Sequence, residues 1–205
     1  MEGRRLIVGI TGASGALYAV RFLKAALAAG FRLDVIVSGY GLRLLSEECG
    51  LNLKSDDFGD WLDRTYGKED RPGSMTLHPA GDQGAEIASG SGGTAGMVVI
   101  PCSMKTLSGI ARGAATNLIE RAADVTLKER RRLILVPRET PLNLAHIENM
   151  RTVTLAGGSI VPAMPAFYQK PETLEDIADF IVGRVLSLLD EPHELYPAWT
   201  GRTLE

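Results

Sequence analysis

The segments best suited to chemistry are short, polar and placed directly after apolar runs. One of them, Gly12-Ala13-Ser14-Gly15, follows the apolar residues 6–10 and precedes a stretch with helical spacing. Backbone N–H groups at a helix start attract anions, so this segment could bind a phosphate or a flavin. It matches neither the dinucleotide fingerprint nor the Walker loop. Considered alone, the segment is explained equally well as a structural turn.

Two further segments carry hydroxyl groups. Residues 101–106 (Pro-Cys-Ser-Met-Lys-Thr) begin as another apolar run ends, and their hydroxyls and free N–H groups suit a ribityl chain or a flavin edge. Residues 89–93 (Ser-Gly-Ser-Gly-Gly) precede that run, and their composition favours a flexible linker over a second ligand loop. Cys102 has no histidine base nearby in the sequence, which favours a buried structural thiol over a nucleophile.

Charged and aromatic side chains form a third group. Arg138 and Glu139 directly follow an apolar run, and an ordinary charged helix face explains them poorly. The same explanation suits Lys128, since cations favour helix C-termini. Tyr168 and Arg184 could be simple packing residues. No grouping of His, Cys, Asp and Glu has the spacing of metal ligands, so we expect no metal site.

The apolar runs are continuous rather than alternating, which is typical of strands buried on both faces of a parallel sheet. We expect strands at residues 6–10, 33–37, 97–101, 133–137 and 159–162. Helical spacing predicts helices at 17–27, 42–48, 104–111, 118–130, 144–156 and 173–189, the last capped by Thr173 and Asp176. Residues 52–73 are expected to be irregular with one short helix. This order predicts an α/β fold with its ligand at the carboxyl ends of the strands.

Composition limits the class of protein. The chain has 205 residues, a net charge of −3 and a pI near 5.7, so it fits one domain and offers no basic field for nucleic acid or anionic lipid. Two cysteines and the lack of a long apolar stretch predict a cytoplasmic protein with no membrane partner. We expect one domain over residues 1–190 and a tail over 191–205, whose Trp199 packs on a neighbouring subunit.

Taken together, these segments resemble one family in order and spacing. The most specific are Asn-Leu-Ile-Glu-Arg-Ala-Ala-Asp and Pro-Arg-Glu-Thr-Pro, and the whole set covers residues 11–16, 88–91, 101–106, 117–125, 127–130, 135–141, 146–150 and 162–168. The family is the UbiX-type flavin prenyltransferases. The resemblance extends over most of the chain apart from residues 52–80 and the tail.

The resemblance implies a single-domain, flavodoxin-like Rossmann fold assembled as a homo-dodecamer. It also implies a metal-independent transfer from dimethylallyl monophosphate to N5 and C6 of reduced FMN, with the prenylated FMN passed to a UbiD-type decarboxylase. The residues implied to bind FMN are Gly12, Ala13, Ser14, Ser38, Ser103, Met104, Lys105, Thr106 and Arg138. Those implied to surround the donor phosphate are Ser89, Arg121, Lys128, Glu139, Tyr168 and Arg184.

The implied catalytic residues are Glu139, Ser14, Glu48 and Lys128. Fixed cations would stabilise the leaving phosphate in place of magnesium, and Glu139 could move the ring proton. Two alternatives share FMN binding. An FMN-dependent decarboxylase of the same superfamily would need a catalytic histidine and an Asn-containing motif that the sequence lacks. A flavin carrier without chemistry would not need a second phosphate site.

Overall fold

A six-stranded parallel sheet forms the centre of the molecule. The computed structural model describes residues 4–53, 56–67 and 71–197. The strands are β1 (Arg5–Ile10), β2 (Arg32–Val37), β3 (Ser74–Pro79), β4 (Gly96–Cys102), β5 (Arg132–Pro137) and β6 (Ser159–Ile160). Their order across the sheet is β3-β2-β1-β4-β5-β6, and every neighbouring pair is parallel.

Helices cover both faces of this sheet. They are α1 (Ala16–Ala28), α2 (Gly39–Cys49), α3 (Phe58–Tyr66), α4 (Met104–Ala111), α5 (Leu118–Lys128), α6 (Leu144–Leu155) and α7 (Leu174–Leu188). Side chains of α1, α2, α3 and α7 pack on one face, and those of α4, α5 and α6 pack on the other. The central strands are therefore buried on both sides, which explains their continuous apolar runs and confirms the predicted α/β class.

The strand order is flavodoxin-like once the edge strand β3 is set aside. The remaining five strands, renumbered along the chain, run 2-1-3-4-5. β1 has β2 on one side and β4 on the other, so the connections that follow β1 and β3 run to opposite sides of β1. Ligand crevices open at such a topological switch point, outside the carboxyl ends of the strands. The ends of β1 and β4 therefore define where the site lies.

The sequence pattern does not predict β3, and its position explains why. All six of its residues are exposed or half-buried, because it forms the edge of the sheet beside β2. It lacks the continuous apolar run of the central strands. The helix α3 that precedes it is the short helix expected in residues 52–73. β6 ends earlier than expected, at Ile160, before Pro162, which cannot donate to a strand ladder.

Hydroxyl side chains fix the helix starts that border the carboxyl edge. Ser38 accepts a hydrogen bond from the Gly41 N–H at α2, and Ser103 accepts one from the Thr106 N–H at α4. The capping box predicted for α7 is confirmed at its Thr173 start. No helix in the described part of the chain is long and apolar enough to cross a bilayer.

Candidate active site

Buried hydrogen bonds tie the carboxyl ends of β1 and β4 together. Thr11, which is 1% exposed, donates from Oγ1 to the Pro101 carbonyl at 2.9 Å. The same Oγ1 accepts from the Ser103 N–H at 2.7 Å. Thr11 therefore joins the glycine segment after β1 to the start of α4. The role of Thr11 was not predicted from the sequence, although a polar residue between an apolar strand and a glycine is the signal that marks it.

The ends of β1, β2 and β4 border a cleft of about 570 Å³, which we call the strand-end cleft. Its volume lies within the range of roughly 300–1,000 Å³ usual for small-molecule sites. The structure brings five of the predicted FMN residues together on its wall: Gly12, Ser38, Ser103, Lys105 and Thr106. Two of the three segments noted in the sequence thus contribute to one site.

The strand-end cleft has the chemistry that FMN requires. A Cβ at residue 12 would lie 2.4 Å from the Tyr40 Cβ, so only glycine allows this close approach. The N-termini of α2 and α4 open onto the cleft, and the cations Arg43 and Lys105 line it. Positive helix ends and cations suit a phosphate, and the serine and threonine hydroxyls suit a ribityl chain.

The N-terminus of α1 is arranged differently from the sequence expectation. The Glu48 Oε2 accepts hydrogen bonds from the N–H groups of Gly15 and Ala16, both at 2.8 Å. A carboxylate therefore takes the anion position that the glycine segment offered to a phosphate. Arg138 Nε donates to the Ser14 carbonyl at 2.8 Å. Ser14, Glu48 and Arg138 do come together, but in this chain they fix the loop before α1.

Glu139 lines a smaller, largely apolar cavity of about 330 Å³. Met104 and Arg138 line the same cavity, so these three predicted residues are neighbours. The Glu139 Oε1 accepts a hydrogen bond from the Thr140 N–H at 3.0 Å. Met164 and Leu142 supply part of the apolar wall, which would keep water away from a hydrocarbon group.

Ser89, Arg121 and Lys128 form a separate group, which we call the loop cluster. Arg121 Nε donates to the Ala88 carbonyl at 3.2 Å, next to Ser89. Lys128 Nζ lies 3.0 Å from the position that a Cβ would take at Gly90. Its ion-pair partner within the chain is Glu129, at 2.6 Å. In a single chain Lys128 thus pairs with Glu129 and not with Glu139, the acidic residue that shares its implied donor site.

The loop cluster reaches the opposite edge of the sheet. Helix α5 begins where the Leu118 N–H donates to the Ala80 carbonyl, just beyond the end of β3. It ends at Lys128, shortly before β5 begins. Its 11 residues span roughly 16 Å. Lys128 therefore lies about one helix length from the strand-end cleft of its own chain.

Tyr168 and Arg184 form a third group, beside α7. The Tyr168 ring meets the Phe180 ring edge-on, with centroids 6.2 Å apart and an interplanar angle of 87°. Arg184 lies one helical turn beyond Phe180 and is exposed. The residues implied to surround the donor phosphate are thus distributed over three places in one chain.

Both thiols of the chain are weakly acidic. Cys102 is fully buried, and burial raises its pKa to about 12. The interpretation of Cys102 as a structural thiol is confirmed, because a nucleophile requires an accessible thiolate. Burial also raises the pKa of Cys49, to about 11.

Asn117 and Glu120 also line the strand-end cleft, although neither was predicted from the sequence to bind FMN. Glu120 is 4% exposed, and its Oε2 accepts from the N–H and the hydroxyl of Thr116 at 2.8 and 2.6 Å. A Cβ at residue 109 would lie 2.5 Å from the Glu120 carboxyl, so Gly109 makes room for it. The signal in the sequence was a charged residue inside an otherwise apolar helix face.

Comparison with known proteins agrees with this geometry. A family model described as Flavoprotein matches residues 1–186. The chain is 47% identical over 192 residues to the flavin prenyltransferase UbiX of Halalkalibacterium halodurans, which covers 94% of this chain and 91% of that protein. This chain belongs to the UbiX-type flavin prenyltransferases. The predicted family and enzyme class are therefore confirmed.

Two solved structures share the fold over nearly the whole chain. One is AnUbiX (PadA1) in complex with FMN and dimethylallyl pyrophosphate, with a TM-score of 0.84, 38% identity, and coverage of 98% of this chain and 100% of that chain. The other is a dodecameric FMN-dependent UbiX-like decarboxylase from Escherichia coli O157:H7, with a TM-score of 0.85, 41% identity, and coverage of 97% and 100%. The flavodoxin-like fold class is confirmed, and the roles of individual site residues stay predictions.

Proposed function

We propose that this chain transfers the dimethylallyl group of dimethylallyl monophosphate to N5 and C6 of reduced FMN and releases inorganic phosphate. The relative solved with FMN and dimethylallyl pyrophosphate supports both ligand classes. The main observation that supports this function is the presence of two sites. One is a cleft suited to FMN, and the other is a separate set of cations and hydroxyls suited to a second phosphate. A flavin carrier has no use for the second set.

The FMN phosphate is proposed to bind near the starts of α2 and α4. Glu48 already neutralises the N-terminus of α1, and a second anion there would be repelled. Among the described residues, the starts of α2 and α4 are capped by the hydroxyls of Ser38 and Ser103 instead of a carboxylate, and Lys105 lies beside them. The flavin ring would then extend towards Ser14 and Arg138.

The chemistry requires a stabilised leaving group and a route for one proton. Heterolysis of the donor C–O bond sends both electrons to phosphate, and Arg121, Lys128 and Arg184 would balance that charge. The first allyl carbon bonds to N5, which releases its proton. The second bond forms when C6 adds to the far carbon of the allyl double bond, whose other carbon takes up a proton, and C6 then releases its ring proton. Glu139 or the departed phosphate would accept this proton. Because two anions repel, a cation must pair with Glu139 while the donor is bound.

More than one copy of the chain is needed to complete this site. Lys128 lies at the amino edge of the sheet, roughly one helix length from the strand-end cleft, whereas Glu139 directly follows β5 at the carboxyl edge. A donor phosphate that contacts both residues must therefore lie between two copies. The loop cluster of one copy would face the strand-end cleft of another.

Exposed apolar side chains support the same assembly. Leu144, Leu155 and Phe167 are 73%, 72% and 74% exposed, and Val153 is the one buried residue of α6. A helix this exposed and this apolar suits burial against another subunit. The dodecameric relative makes a homo-dodecamer our proposal for the assembly. The expected packing of Trp199 lies outside the described residues.

We also propose that the protein works in the cytoplasm and passes its product to a UbiD-type decarboxylase. The finding that no described helix can span a bilayer is compatible with this location. The reaction consumes FMN and does not regenerate it, so the prenylated flavin must leave the site before the next turnover. A protein that uses this product would take it up. The resemblance to UbiX-type enzymes supports a decarboxylase in that role.

The test is to incubate the purified protein anaerobically with reduced FMN and dimethylallyl monophosphate, and then to weigh the released flavin. We expect a flavin heavier by one C5H8 unit and one phosphate released per flavin. The pyrophosphate is tested in parallel as donor. A flavin of unchanged mass would contradict the proposal. If aromatic acids then lost CO2 in the presence of FMN, the decarboxylase alternative would replace it.

A further inference from the structure

The loop at residues 89–93 has a composition that does not hold a shape by itself. Three of its five residues are glycine, and ordering a backbone residue costs on the order of 1–2 kcal/mol. The sequence therefore favours a flexible linker. In the structure the loop has defined contacts, and these come mainly from one side chain outside it.

That side chain is Arg131. Its Nη1 donates to the Gly92 carbonyl and its Nη2 donates to the Gly90 carbonyl, both at 2.8 Å. The two donors belong to one planar guanidinium, whose fork can hold two acceptors at a fixed separation. A lysine offers a single ammonium at that place and cannot reproduce both bonds in the same geometry.

Arg131 is itself held by the end of α5. Its N–H donates to the Thr126 carbonyl at 2.9 Å, and the preceding Arg130 has a left-handed backbone with φ of 53°. This turn is a common way to end a helix, and it fixes the direction of the next residue. The position of the guanidinium therefore follows from the same helix that carries Lys128.

The loop in turn lies against Lys128. A Cβ at Gly90 would lie 2.2 Å from Glu129 Oε1 and 3.0 Å from Lys128 Nζ, so the backbone approaches this ion pair closely. The Ser89 and Ser91 hydroxyls are 3.0 Å apart on the exposed side of the loop. One arrangement of the loop therefore places two hydroxyls and a cation next to each other.

We propose that Arg131 is a positioning residue for the allyl-donor phosphate, because it fixes the loop that carries Ser89 beside Lys128. The inference rests on the proposed function, in which Ser89 and Lys128 bind that phosphate. Arg131 does not line the strand-end cleft, so it acts on the donor and leaves FMN binding unchanged.

The test compares Arg131→Lys with Arg132→Lys in the full-length protein. Arg132 is the adjacent arginine, and its ion-pair partner is the exposed Asp190. We expect Arg131→Lys to raise the KM for dimethylallyl monophosphate on the order of ten-fold, the scale of one lost charged hydrogen bond. The kcat at saturating donor and the Kd for FMN should stay within about two-fold, and Arg132→Lys should match the parent.

An unchanged KM in Arg131→Lys would overturn the inference, and so would a loss of kcat without a change in KM. If Arg131→Lys does not fold, Gly90→Ala approaches the same loop from the other side. Its added Cβ must displace the Lys128–Glu129 pair, so it should raise the same KM, and a parent KM would count against the inference.

A measurement without any reaction separates this inference from the proposed function. Amide hydrogen exchange over residues 89–93 should be faster in Arg131→Lys than in the parent and in Arg132→Lys. Equal exchange in all three proteins would overturn the clamping role. If the parent makes no prenylated flavin, the proposed function fails, while the exchange result still decides whether Arg131 holds the loop.

Discussion

At the carboxyl edge of the sheet, hydroxyl groups join neighbouring strand ends, and at the amino edge arginines hold a loop of small residues. Thr11 links β1 to β4 through buried bonds, so the strand-end cleft is organised within one chain. The loop at residues 89–93 is held from outside by Arg131, and its exposed hydroxyls and Lys128 do not line that cleft. The proposed flavin half of the site is thus organised within each chain, and we propose that the donor half is completed only between chains.

The largest expected effect comes from Glu139→Gln, at the carboxyl edge. The variant keeps the size of the side chain but cannot accept the ring proton, so prenylation should slow on the order of 100-fold or more. FMN binding, measured by fluorescence titration, should be retained. Glu172→Gln, which changes an exposed glutamate, is the matched control and should keep the parent rate. Parent-like turnover in Glu139→Gln would assign the proton transfer to the phosphate.

A mixing experiment tests the comparison directly. Chains with Lys128→Ala and chains with Glu139→Gln should each be nearly inactive. Co-expressed in equal amounts in one oligomer, they should regain about a quarter of the parent activity. At a site shared between two copies, each copy has a chance of about one half of supplying the intact residue, and both must do so. The control is a chain that carries both substitutions and is expressed alone. It should stay inactive. No recovery in the mixed oligomer would mean that one chain supplies both residues.

A smaller effect is expected at the link between β1 and β4. Thr11→Val keeps the shape of the side chain but leaves the Pro101 carbonyl and the Ser103 N–H without this hydroxyl. The free energy of unfolding should fall by about 1–3 kcal/mol, and FMN binding should weaken. Thr154→Val, which removes an exposed hydroxyl bound to the Met150 carbonyl at 2.9 Å, should change neither. Denaturant unfolding of both variants decides this prediction.

The smallest effect is expected in acid, at Asp34 near the amino edge. Burial alone would raise the pKa of Asp34, but hydrogen bonds from Arg5 at 2.6 Å and His78 at 2.7 Å outweigh burial and lower it. A carboxyl with a lowered pKa stabilises the fold above its ordinary pKa of about 3.9, and this contribution is lost as the pH falls through the lowered value. Asp34→Asn should therefore be less stable than the parent at neutral pH.

The difference between Asp34→Asn and the parent should shrink below about pH 4, as the parent carboxyl takes up its proton. Thermal unfolding between neutral and acid pH measures it. Asp60→Asn, which changes an exposed carboxylate on α3, is the control and should follow the parent curve. A constant difference in stability across this pH range would mean that the Asp34 charge contributes nothing to the loss of stability in acid.

The sequence by itself determined the strand and helix alternation, because continuous apolar runs and helical spacing are local properties. The residues at Gly12 and Ser103 could be recognised because each directly follows a central strand. The edge strand β3 could not, since an exposed strand leaves no apolar run to detect. The role of Thr11 depends on its neighbour β4, which lies about 90 residues further along the chain.

Only the tertiary structure decided which polar segments share a site. Residues 12–15 and 101–106 meet because β1 and β4 are adjacent in the sheet, whereas residues 89–93 lie at the other edge because they precede β4. The sequence offered the N-terminus of α1 to a phosphate, and Glu48 takes that place because α2 packs beside α1. Likewise, the glycine-rich loop is ordered by Arg131, some 40 residues away, and such distant contacts leave no local signal in the chain.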